Sequence, residues 1–175
     1  MADFNKSIGF TLQNEGGFTN VPQDSGGATN FGITDAVYSS YLGRAATVQD
    51  VKHMPIAAAM AIYEKHYWAP LNLDHVNDQG MATAIFDMGV NMGILMGAEL
   101  AQDACNSFGP PKLEVDGEIG PMTLARLNAV NPRLWLSHYV AFVRQHYDAI
   151  IASHPKDAIF RAGWMSRANR LLTLG

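Results

Sequence analysis

Helical periodicity runs through most of this sequence and gives way once, between Gly16 and Thr34. Glycine and polar residues crowd together there, in Phe18-Thr19-Asn20-Val21-Pro22-Gln23-Asp24-Ser25-Gly26-Gly27-Ala28-Thr29-Asn30-Phe31-Gly32-Ile33-Thr34. Such a stretch suits short strands joined by tight turns. One small β element beside long helical stretches predicts a mainly α (α+β) protein. The helix before it runs from Asp3 to Glu15 and stops at Gly16-Gly17, because paired glycines suit the left-handed turn that ends helices. Phe4, Ile8, Thr11 and Glu15 fall on one face of that helix. Glu15 therefore sits at the inner end of a stripe that must pack against something. Partial removal from water disfavours a charged carboxylate. A carboxyl group that keeps its proton is what glycoside hydrolysis needs as a donor. Glu15 also opposes its own helix dipole, whose C-terminal end prefers cations. Either a compensating group lies nearby or the cost is accepted for function. The turn-rich stretch can place Asp24 and Thr29 opposite Glu15.

The rest of the chain reads as helices with clear punctuation. Thr34 caps a short helix ended by Gly43. Thr47-Val48-Gln49-Asp50 has the spacing of a capping box. Pro55 opens a helix that carries Ile56, Met60, Tyr63 and Tyr67. Asp78 caps a helix with Met81, Ile85, Met88 and Met92 inward, interrupted at Gly93, and a further helix runs from about Leu95 to Phe108. Lys112 to Gly120 is a loop with a turn at Asp116-Gly117, and Pro121 opens the next helix. Asn131-Pro132 starts a long helix that ends before His154-Pro155, and a last helix carries Ile159, Trp164, Ala168, Leu171 and Leu172.

Bulk properties narrow the function classes. A chain of 175 residues, 48% apolar, buries a core as one domain or as two closely packed lobes. A net charge of −4 without a basic run makes nucleic acid a poor partner. Cys105 is the one cysteine, so no internal disulfide forms. No apolar stretch approaches the roughly 20 residues of a membrane-spanning helix, and the N-terminus lacks a signal peptide's pattern. No His-Glu-x-x-His pattern, Cys/His cluster or Gly-x-Ser-x-Gly elbow occurs, so neither a metal nor another cofactor is expected.

Glu15-Gly16-Gly17-Phe18, followed by Pro22-x-Asp24-x-Gly26-Gly27-x-Thr29-Asn30-Phe31-Gly32-Ile33-Thr34, resembles the signature of the family 108 glycoside hydrolases. The resemblance continues in Ile62-Tyr63-x-x-His66-Tyr67-Trp68, in Phe86-Asp87-Met88-Gly89-Val90-Asn91-Met92-Gly93, in Asp116-Gly117-Glu118-Ile119-Gly120-Pro121 and in Phe160-x-x-Gly163-Trp164-x-x-Arg167. It implies a lysozyme-like N-acetylmuramidase, which cuts the β-1,4 bond between N-acetylmuramic acid and N-acetylglucosamine in bacterial peptidoglycan. It also implies a single domain over 1–175, built of two helical lobes. Residues 1–80 would be the catalytic lobe with Glu15 and the hairpin, and 81–175 a helical lobe resembling a peptidoglycan-binding region. Lone wall-lysing domains without a signal peptide are typical of phage endolysins. The expectation is thus a monomer made in the host cytoplasm that reaches the wall through a holin.

The family's catalytic glutamate falls on Glu15, and Asp24 and Thr29 resemble the Asp and Thr of phage-type lysozymes. Asp24 is either a water-positioning base or charge stabiliser, or a turn residue bonding nearby N–H groups. Thr29 holds water or a sugar hydroxyl, or is a plain strand threonine. Asp87 and Asn91, on one helix face, contact sugar groups or form a structural polar pair. Tyr63, Tyr67 and Trp68 stack on sugar rings or belong to the core. Trp164 and Arg167 close the C-terminal helix onto the core. Cys105 reads as a small buried hydrophobe. Two rivals stand beside hydrolysis: a lytic transglycosylase acting on the same bond, and a non-catalytic wall-binding or secretion-associated protein.

Overall fold

The computed structural model describes residues 1–20 and 27–175. Asp24 lies outside them. Helix α1 spans Phe4–Glu15, with the Asp3 side chain accepting from the Asn5 N–H at its start and Gly16 at φ 72° at its end. The hairpin that follows consists of β1 (Thr29–Asn30) and β2 (Ile33–Thr34), antiparallel, with Thr29 opposite Thr34 and Asn30 opposite Ile33. Thr19 adds an isolated bridge to Thr29. The two-residue turn Phe31-Gly32 has positive φ at both positions, 51° and 73°, the backbone that matches the twist of paired strands.

Helices α2 (Asp35–Leu42), α3 (Val48–Lys52) and α4 (Ile56–Tyr63) come next. Their starts follow local chemistry. Thr34 caps α2, and Thr47 with Asp50 forms the full capping box of α3. After Tyr63 the helix widens into one π turn, Glu64–Trp68, a form often found beside functional sites. Trp68 is fully buried, and its indole N–H donates to Asp74 at 2.7 Å. It is a core residue and cannot stack on a sugar.

Helix α5 (Gln79–Met92) is the axis of the molecule. The sequence predicts one inward stripe on it, yet every residue from Gly80 to Gly89 is buried. The cause is enclosure: α1, α6 (Ile94–Asn106) and α8 (Pro132–Ser153) pack around it. A helix surrounded on all sides must be apolar all round. The few polar groups on it are accordingly paired. Ser7 and Thr83 share a hydrogen bond of 2.7 Å, and Gln79 donates to the Asp3 carbonyl and the Ser7 hydroxyl, fastening α5 to α1.

Helix α7 (Pro121–Leu127) follows the 107–120 loop, and Asn131 caps the 22-residue α8. Trp135, Leu136, Tyr139, Val143 and Tyr147 form the buried face of α8. The last helix, α9, spans Arg161–Arg170 and is preceded by a 3-10 segment, Pro155–Phe160. Ile159 therefore lies in that exposed segment rather than on the packed face of α9, and Leu172 is exposed too, while Ala168 and Leu171 are buried.

Cys105 is buried in α6, and burial pushes its thiol up to about 11. At pH 8 the native protein is expected to leave a thiol reagent such as DTNB unconsumed over minutes, with one equivalent reacting after denaturation in urea. Rapid reaction of the native protein would show that α6 opens readily.

Candidate active site

The last turn of α1 carries Glu15 into a junction of three elements. Its side chain keeps only 18% of its exposure, and its Oε1 accepts from Nη2 of Arg167 at 2.8 Å. Arg167 stands on α9, is itself 11% exposed, and reaches α5 as well. Its Nε donates to Oδ2 of Asp87 at 2.9 Å, and its Nη2 donates to Oδ1 at 3.0 Å and to the Asp87 carbonyl at 3.2 Å. A planar guanidinium fork makes this two-sided grip possible, and a lysine could not reproduce it. Burial lowers the pKa of Arg167, but the hydrogen bond and charge of Asp87, helped by Glu15, outweigh it and raise it. The cation that the α1 dipole requires near Glu15 thus comes from the far end of the sequence.

Asp87 is 0% exposed and is taken up by Arg167 and by the Asn14 amide, which donates at 3.3 Å. It supports the site from behind and does not open to a cleft. Asn91, a turn further along α5, is exposed and accepts from the Tyr147 hydroxyl at 2.6 Å. The neighbouring Arg170 holds the same end of α1. It donates to Asn14 Oδ1 at 2.9 Å and to the Phe10 carbonyl at 2.6 Å, and its guanidinium lies 4.1 Å from the centre of the Phe10 ring.

The opposite side of Glu15 is the hairpin turn. A Cβ placed on Gly32 would lie 2.7 Å from Oε2 of Glu15 and 2.9 Å from the Tyr63 hydroxyl oxygen. Only glycine fits so close at φ 73°. Tyr63 donates its hydroxyl to the Phe31 carbonyl at 2.7 Å, which pins the turn. Burial first, and the Glu15 charge second, raise the pKa of Tyr63 well above its ordinary value, so it remains a donor throughout the working pH range. Tyr67 is raised for the same two reasons. Gly32→Ala is expected to displace Glu15 and to lower kcat by about a hundredfold with little change in KM. Unchanged kinetics would mean that the turn does not set the position of the acid.

Gly32, Tyr63 and Tyr67 also line a groove of about 430 Å³ between α2 and the π turn. One oxygen of Glu15 is held by Arg167, while the other lies close to the Gly32 turn, which is part of the groove's wall. Thr29 stands in β1 with its hydroxyl bonded to that of Thr19 at 2.7 Å. Arg167 thus does more than close the C-terminal helix onto the core, and the uncompensated dipole at Glu15 is the sequence cue that a cation is needed there.

Residues 8–93 match the model of glycosyl hydrolase 108, and residues 97–169 match that of a predicted peptidoglycan domain. The chain's first half is a glycosyl hydrolase 108 region. The solved structure of SagA from Brucella abortus is similar, at 27% identity and a TM-score of 0.76, over 97% of this chain and 91% of that one. No curated protein matches it. The fold is lysozyme-like, mainly helical with a small antiparallel hairpin near the N-terminus. The two matches support a glycoside hydrolase that acts on peptidoglycan. The candidate site draws on both matched regions: Glu15, Gly32, Tyr63 and Asp87 lie in the glycosyl hydrolase 108 region, and Arg167 in the peptidoglycan domain.

Proposed function

We propose that this protein is an N-acetylmuramidase that hydrolyses the β-1,4 bond between N-acetylmuramic acid and N-acetylglucosamine. The observation that carries the reading is Glu15, held through Oε1 by Arg167 with Oε2 close to the Gly32 turn, and Gly32 and Tyr63 line the groove. In the protonated state Glu15 gives its proton to the glycosidic oxygen as the bond to C1 breaks. The ring passes through an oxocarbenium-like state, and water adds its oxygen to C1. The water's proton returns through a base. Asp24 fills that role, or steadies the positive charge, and Thr29 holds the water or a sugar hydroxyl. Tyr67 offers the groove an aromatic face for a sugar ring.

In this reading 1–175 works as one lysozyme-like domain, a monomer with no cofactor, made in the cytoplasm and released to the wall through a holin. One observation favours the transglycosylase alternative. Among the described residues Glu15 lies close to the Gly32 turn that lines the groove, and Asp87 is sealed behind Arg167. Transglycosylation needs a single carboxyl group and ends by internal attack of the muramic acid 6-hydroxyl. Mass spectrometry of fragments released from purified walls separates the readings. Reducing-end muramic acid is expected. A 1,6-anhydro end would replace hydrolysis by transglycosylation, and wall binding without any fragments would leave a binding protein.

A further inference from the structure

The groove beside Glu15 does not end at Tyr67. Ser40, Ile62 and His66 line it and also line a second hollow of about 360 Å³, which reaches Tyr41 and Lys65. The two hollows share these walls and form one trough, with α2 on one side and α4 and its π turn on the other. Gly32 and Tyr63, which lie close to Glu15, line the first hollow, and Lys65 lines the second.

The lining has a definite chemical character. Its near part is mostly apolar, with Val37 exposed at its wall. Its far part carries the exposed ring of Tyr41, stacked on Tyr38, and the Lys65 ammonium. No carboxylate is among the described residues that line either hollow, and Lys65 takes part in none of the salt bridges among the described residues. An apolar channel that ends at an unpaired cation suits a slender anionic chain with small apolar side groups. The sugar rings of a glycan strand carry hydroxyl and acetamido groups, which are neutral. The peptide hung from the lactyl group of muramic acid has that slender form, with methyl side groups and free carboxylates.

We propose that the part of the trough beyond Tyr67, between Ser40 and Lys65, binds the stem peptide of a muramoyl residue whose sugar ring lies on Tyr67, and that a free carboxylate of that peptide meets Lys65. The proposal rests on the reading of the protein as a muramidase. It makes the enzyme a reader of peptide substitution as well as a cutter of the glycan. Lys65 is a specificity residue and takes no part in the bond cleavage.

The test uses the native protein and two soluble probes, titrated calorimetrically: the disaccharide N-acetylglucosaminyl-N-acetylmuramic acid with a tetrapeptide attached, and the same disaccharide with no peptide. The peptide-bearing probe is expected to bind about fivefold tighter or better. Lys65→Glu is expected to remove that advantage, while Lys156→Glu, the same charge change on the exposed segment after α8, leaves it intact. Equal affinity for the two probes, equal weakening of both by Lys65→Glu, or no measurable binding of either overturns the proposal. Release of reducing ends from whole walls, measured separately, reports on hydrolysis alone. A protein that binds the peptide-bearing probe through Lys65 but releases nothing would refute the muramidase and leave the trough standing.

Discussion

Glu15→Gln is expected to lower wall hydrolysis by about a thousandfold or more, with sedimentation onto purified walls and the thermal midpoint little changed. The amide keeps the shape of the side chain, and its oxygen still accepts from Arg167, so α1, α5 and α9 stay joined. What it lacks is a proton to give to the leaving oxygen. Turbidity loss of a wall suspension and circular dichroism of the same preparation together read both halves of this expectation. A variant that clears walls at the native rate would remove Glu15 from the chemistry.

Arg167→Ala should damage both stability and activity, and the two effects can be separated. It strands the Asp87 carboxylate, which is 0% exposed, without its main partner. Breaking a buried ion pair from one side costs about 3–5 kcal/mol. In a domain of this size that lowers the thermal midpoint by on the order of 10 °C. Adding Asp87→Asn to Arg167→Ala removes the stranded charge and should restore part of the midpoint. It should not restore hydrolysis, because Glu15 still lacks the donor that fixes Oε1. Arg167→Lys keeps a charge but not the fork, and its activity should fall between the native enzyme and Arg167→Ala. If the double variant regains activity along with stability, Arg167 matters to the fold alone.

Helix boundaries were legible because their causes are local. The Asp3, Thr34, Thr47, Asp78 and Asn131 caps each use a side chain within three residues of the N–H it accepts from. The hairpin region was visible as the glycine-rich stretch 18–34, but its turn at Phe31-Gly32 was not singled out. The burial of α5 on every side was not visible, since it depends on which helices surround it. Asp87 illustrates the same limit. A carboxylate among Phe86, Met88 and Gly89 invites a functional reading, and a buried charge does need a partner. That partner lies 80 residues away, and no spacing rule connects them. Arg167 was hidden for the same reason. The π turn at Glu64–Trp68 also escaped, because a one-residue widening leaves no mark in helical periodicity.

The Glu15–Arg167 contact joins residues 152 positions apart. On a ribosome, Glu15 emerges early and Arg167 late, so the two meet only after nearly all of this sequence has been made. Contacts of such wide separation are also slow to form, because a long loop must close first. A nascent chain therefore carries its acid residue without the clamp that aims it. The working site is among the last things synthesis can complete, so premature termination anywhere before α9 yields a fragment with no assembled acid.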